Sequence, residues 1–269
     1  MKYSMLLFVV VFQWQAFAEK EILSFQSGQV QLKGELYKPN SKPPFVLLFF
    51  NHGSAPKMFN SVALKNLAEH FNKEKIAVFM PYRRGQGLSE QAGPYIMTQI
   101  KDAIQESGFS AGEDVLIREL KGNHLQDQMA AYRFIKNQDY VDPNKIISIG
   151  NSFGGIQVLL GLKELNFCAA INASGGAKSW KKSKKLRSLM FDSLPSINVP
   201  VFFFQAQNDY DLSPSKFLGA KLEDLGKKAK IKIYPDFGKS AKEAHGFFYQ
   251  SVATWFPDAM QFIRQNCLD

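Results

Sequence analysis

The stretch Ile146-Ile147-Ser148-Ile149-Gly150-Asn151-Ser152-Phe153-Gly154-Gly155 settles how the rest of this chain is read. Residues 146–149 are strand formers, two glycines flank a serine, and a helical apolar pattern leaves over 153–165. By composition alone, Gly-x-Ser-x-Gly occurs in about one random chain in ten of this length. The weight therefore falls on its setting of strand, sharp turn and helix. Gly150 and Gly154 keep side chains out of a crowded turn, and Gly155 leaves room for close helix packing. Ser152 is then expected to stand at the top of a sheet. A helix starting at Phe153 would aim the positive end of its dipole there, where developing negative charge is favoured.

Working outward, short apolar runs alternate with longer helical patterns. Residues 22–25 and 30–37 read as an antiparallel hairpin turning at Ser27-Gly28-Gln29. Further strands are expected over 45–50, 76–80, 145–149, 168–173, 200–205 and 230–234. Helices are expected over 61–71, 124–136, 153–165, 215–225 and 256–265. This alternation predicts an α/β fold: one mostly parallel sheet of about eight strands, helices on both faces. No Pro/Gly/Ser-rich linker divides residues 19–269, so a single domain is expected. Two connections are longer than a strand-to-helix turn requires, 88–123 and 174–197. In the first, Ile100, Ile104, Val115, Leu116 and Leu120 suggest short helices. Both leave from the carboxyl ends of strands, where open α/β sheets bind ligands. Each is expected either to wall a site or to be a plain surface excursion.

These pieces resemble the α/β-hydrolase superfamily, most closely its dienelactone hydrolase-like and prolyl oligopeptidase-like branches. The resemblance rests on Phe49-Phe50-Asn51-His52-Gly53-Ser54, Pro81-Tyr82-Arg83-Arg84-Gly85-Gln86-Gly87, Val141-Asp142-Pro143-Asn144-Lys145-Ile146 and the turn at Ser152, in that order. It implies a triad running Ser, acid, His along the chain. A serine hydroxyl needs a general base to attack at neutral pH, and the base needs a carboxylate to orient it. His245, just after the last strand, matches the base. His70 reads as a solvent-facing helix residue and His124 as a helix-capping or surface residue. Asp209, at the turn after 201–206, matches the acid. Asp211 is its rival and Asp236 a weaker third choice. The oxyanion hole is expected from the backbone N–H of Phe153 with that of Ser54, Gly53 being the alternative. His52, Gly53, Arg83 and Arg84 are candidate substrate contacts, the two arginines either binding a carboxylate or bracing their loop. Dienelactone hydrolases use a cysteine nucleophile; Ser152 stands there in this chain, pointing to serine ester or amide hydrolysis.

Residues 1–18 carry Lys2, an apolar run over 5–12 and Ala16-Phe17-Ala18. That is the pattern of a secretory signal peptide cut near Ala18. A secreted or periplasmic protein is expected, without a membrane-spanning segment. In an oxidising compartment the two cysteines, Cys168 and Cys267, can pair, though Cys168 also suits a core position. Lysine and arginine number 33 against 24 acidic residues, a net charge of +9. No nucleic-acid-binding signature accompanies the excess. The dense run Lys178, Lys181, Lys182, Lys184, Lys185, Arg187 is either a solvated helix face or an attraction for an anionic ester or surface. No metal, nucleotide or flavin motif is present, so no cofactor is expected. The sequence thus points to a serine hydrolase acting on a small ester. Peptidase or amidase, acyltransferase and a non-catalytic binding module on the same scaffold are the competing readings.

Overall fold

A computed structural model describes residues 19–55 and 62–268; the expected signal peptide lies outside them. Eight strands form one sheet: β1 Glu19–Ser27, β2 Val30–Lys38, β3 Phe45–Asn51, β4 Ile76–Pro81, β5 Val141–Asn151, β6 Ala169–Ala173, β7 Val201–Ala206 and β8 Ala229–Tyr234. Their order is β1-β2-β4-β3-β5-β6-β7-β8. β1 pairs with β2 and β2 with β4 antiparallel, and every later pairing is parallel. The structure is the α/β-hydrolase fold. The composition of the strands follows from their places. β7, Val-Phe-Phe-Phe-Gln-Ala, is buried along its whole length, as a strand covered on both faces must be. β8 is the edge and carries Lys230 and Lys232, both paired with Asp258; lysines on an edge discourage further strand addition.

Ten α-helices are present among the described residues: α1 Val62–Lys73, α2 Ile96–Ser107, α3 Phe109–Lys121, α4 Asn123–Lys136, α5 Phe153–Glu164, α6 Lys184–Ser193, α7 Ser213–Asp224, α8 Ala241–His245, α9 Phe247–Gln250 and α10 Val252–Ile263. Two cores flank the sheet. One joins α1 and α10 through Leu64, Phe71, Trp255 and Phe262. The other joins α4, α5, α6 and α7 through Ile135, Leu159, Met190 and Leu218. α5 is buried from Phe153 through Leu162, which holds the Ser152 turn rigid. Cys168 and Cys267 do pair, with Cα atoms 5.2 Å apart. The bond ties the start of β6 to the turn after α10.

The closing helix begins earlier than the sequence suggests, at Val252, and contains Pro257. Proline discourages helix in the residue before it, but here packing of Trp255 and Ala259 outweighs that local preference. His70 is not fully solvent-facing: its Nδ1 lies 2.8 Å from the Asn66 carbonyl and its ring packs edge-on against Phe256.

Candidate active site

All the candidate residues emerge at the carboxyl edge of the sheet. Ser152 follows β5 with φ 58° and ψ −115°, a left-handed conformation that costs a side-chain-bearing residue energy. The surroundings enforce it. A Cβ at residue 154 would lie 1.8 Å from the Asn51 carbonyl oxygen, and one at residue 150 would lie 2.5 Å from that of Gly154. Only glycine lets the start of α5 press onto the end of β3. The Ser152 N–H donates to the Ala173 carbonyl at 3.0 Å, anchoring the turn to β6.

The turn after β7 brings Asp209, and α8 ends on His245. His245 Nδ1 lies 2.9 Å from Asp209 Oδ1, and Nε2 lies 2.8 Å from Ser152 Oγ. Asp209 also accepts the Tyr210 N–H at 2.6 Å and the Gln205 side-chain amide at 3.4 Å. A carboxylate is acceptor-only, so Nδ1 carries the proton and Nε2 is left to accept from the serine hydroxyl. The Asp209 side chain is wholly buried while that of His245 is 15% exposed, so the acid is shielded and the base opens on the cleft. The Tyr210 ring packs edge-on against His245. Asp211, the rival acid, instead accepts the Ser213 N–H at the start of α7. Asp236 makes no bond to His245.

The structure reassigns the four candidate substrate contacts. Arg83 is buried, and its guanidinium donates to the His52 carbonyl at 2.8 Å, the Gly53 carbonyl at 2.7 Å, Gln86 and Gln157. Its Cζ lies 4.7 Å from the centre of the Phe153 ring. Burial holds the guanidinium below its ordinary value, at about 9, still charged at neutral pH. Arg84 pairs with Asp127 at 2.6 Å and bonds Asn123. Both arginines therefore brace their loop. His52 is fully buried; it accepts the Arg83 N–H through Nε2 and donates from Nδ1 to the Gly53 carbonyl. Burial and the Arg83 charge hold its pKa well below the usual value. The Gly53 N–H is taken by the Tyr249 hydroxyl at 3.4 Å. That favours Ser54 over Gly53 as the second oxyanion donor. His124 is also misread as a surface residue: it is fully buried, edge-on against Phe153. Burial and the two arginines lower its pKa to about 3. Apolar neighbours at Leu125 and Met129 gave no hint of that depth.

A cleft of about 240 Å³ opens at Ser152, lined also by Ser54 and Phe153. Its far wall comes from the first long connection. Met97, Ile100 and Ile104 occupy one face of α2; Phe109, Gly112, Glu113 and Leu116 occupy one face of α3. Sequence reading named Ile100, Ile104 and Leu116 as helix-forming, but not Met97, Phe109 or Glu113; the three- and four-residue spacings were the available signal. The second connection adds Lys178 and Lys182. The two connections are joined by Lys185, which reaches Asp114 and, at 3.2 Å, Ser110.

This arrangement, a serine at a strand-to-helix turn linked through histidine to a buried aspartate, defines a serine hydrolase of the α/β-hydrolase type. The model of the prolyl oligopeptidase family matches residues 111–193. No curated protein matches the chain. Among solved structures, a Pyrococcus horikoshii acylaminoacyl peptidase is 18% identical, covering 96% of this chain and 43% of its own, with a TM-score of 0.69. The chain thus spans about two fifths of that peptidase's length. A Pyrococcus furiosus esterase is 15% identical over 95% of both chains, TM-score 0.66. A Butyrivibrio proteoclasticus protein solved with ferulic acid bound is 14% identical over 89% of this chain and 99% of its own, TM-score 0.63. These likenesses are likenesses of fold.

Proposed function

We propose that the protein is an exported carboxylic ester hydrolase using Ser152 as nucleophile, His245 as base and Asp209 as orienting acid. The unbroken chain of hydrogen bonds from Asp209 through His245 to Ser152 Oγ carries the reading. His245 Nε2 takes the hydroxyl proton as Ser152 attacks the carbonyl. The oxyanion develops against the N–H groups of Phe153 and Ser54, at the amino end of α5. His245 then returns the proton to the leaving alcohol, and water repeats the cycle on the acyl-enzyme. One such backbone donor is worth about 10²–10³ in turnover. Export is supported by the composition of residues 1–18 and by the Cys168–Cys267 bond. A small ester or acyl compound is the proposed partner.

The test is labelling by a fluorophosphonate probe, wild type beside Ser152→Ala. Wild type is expected to label and the variant not. A wild type that stays unlabelled would sink the hydrolase reading in favour of a binding module. Aminoacyl anilides run beside p-nitrophenyl esters then separate amide from ester cleavage. The family match over 111–193 makes amide cleavage the second reading.

A further inference from the structure

The cleft beside Ser152 is lined by one acidic group, which neither the triad nor the loop network uses. Glu113 sits on the face of α3 that also presents Phe109 and Leu116 to the cleft. Its Oε1 is buried and has no hydrogen-bond partner among the described residues. It forms no ion pair with Lys178 or Lys182, which line the same cleft. A carboxylate oxygen withdrawn from water among apolar side chains is costly unless something donates to it. A site built to receive a donor rejects substrates that lack one, because the acceptor is then left unsatisfied.

We propose that Glu113 is a specificity-determining residue, and that the group seated in this cleft is an apolar chain or ring carrying a hydroxyl that donates to Glu113 Oε1. This rests on the hydrolase reading above and adds the substrate class. The apolar faces of α2 and α3, with Ile156 of α5, receive the hydrocarbon part. A neutral hydroxyl is favoured over an ammonium because Lys178 and Lys182 make the same walls positive. Gly112 lets α3 close onto α2, so that a Cβ there would lie 2.4 Å from Ile104 Cγ1, while the partly exposed Glu113 side chain can turn its carboxylate to meet the hydroxyl.

The experiment compares p-nitrophenyl esters of hexanoic to octanoic acid with their ω-hydroxy and ω-amino counterparts, and acetyl esters of the matching alcohols, diols and amino alcohols. In at least one series wild type is expected to prefer the hydroxyl compound by about tenfold or more in kcat/KM. In Glu113→Leu the hydroxyl-to-plain ratio falls to near one, and in Glu113→Gln, which keeps an acceptor, part of the preference remains. No hydroxyl preference in either series, a preference surviving in Glu113→Leu, or a preference for the amino compounds overturns the proposal. Binding is read separately from chemistry in Ser152→Ala, as the Tm shift given by ω-hydroxyhexanoate and hexanoate methyl esters. A larger shift with the hydroxy ester, lost on adding Glu113→Leu, supports the assignment, and equal shifts overturn it. Fluorophosphonate labelling with equal Tm shifts defeats Glu113 alone. Absent labelling with a Glu113-dependent shift defeats the hydrolase reading alone.

Discussion

Replacing Arg83 by methionine is expected to damage both stability and turnover, by amounts that follow from its contacts. The guanidinium satisfies two carbonyls of the His52–Gly53 loop and the side-chain oxygens of Gln86 and Gln157, all in buried surroundings. Methionine fills much of the volume but leaves three acceptors unsatisfied, the Gly53 carbonyl keeping the His52 Nδ1 proton. Each orphan costs about 1–3 kcal/mol, offset by no longer burying a charge. A net loss of about 3–5 kcal/mol is the expected outcome. For a chain of this size that lowers Tm by about 10 °C. The same contacts fix the direction of the Ser54 N–H and the position of the Phe153 ring. Well below the new Tm, kcat is therefore expected to fall about a hundredfold with KM little changed, the sign of an interaction made in the transition state. Arg83→Lys recovers little, because one ammonium cannot span two carbonyls and two amides. The assay is thermal unfolding paired with ester hydrolysis at saturating and limiting substrate. A Tm within about 2 °C of wild type together with kcat within about twofold would refute the positioning role.

Gly154→Ala is expected to give no soluble, active protein, because the new methyl would meet the Asn51 carbonyl oxygen at 1.8 Å; normal expression and activity would contradict the close packing of α5 on β3. Cys267→Ser opens a loop of sequence separation 99 and is expected to cost up to about 4–5 kcal/mol in urea melts. A dithiothreitol-treated wild type should melt with the variant, and unchanged melting under reduction would deny the bond. His124, held at about 3 in the folded protein against 6.5 for a free imidazole, stays neutral while the unfolded chain takes a proton. Its contribution to stability is therefore intact above pH 6.5, falls by about 1.4 kcal/mol per pH unit below it, and levels near pH 3. Between about pH 6.5 and 5, His124→Phe is expected to lose about 2 kcal/mol less than wild type, and identical slopes would show that His124 is not buried neutral.

Much of this arrangement was legible in the sequence because it is written locally. The all-apolar run of β7, the hairpin of β1 and β2 and the glycines around Ser152 each carry their own instruction. Asp209 was preferred to Asp211 on the family resemblance, and it is Asp209 that bonds His245 while Asp211 is occupied at the start of α7. What escaped was set by tertiary context. The burial of His124 and the internal partners of Arg83 depend on which loops meet across the sheet, and no period in the chain reports that. Met97, Phe109 and Glu113 were hidden for the opposite reason. Their helical spacing was readable, but which face of the insertion turns toward Ser152 is settled by the packing of α3 on α6.

The wall and the chemistry occupy different parts of the gene. The triad comes from strand ends and short turns, whereas nearly all of the far wall comes from one continuous segment between β4 and α4. Within it α2 and α3, which carry the wall, supply no group to the proton path from Asp209 to Ser152, whereas Arg83 and Gln86 at its start brace the oxyanion loop. Selection could retune what this scaffold accepts by editing a single cassette, and an engineer could do the same by grafting.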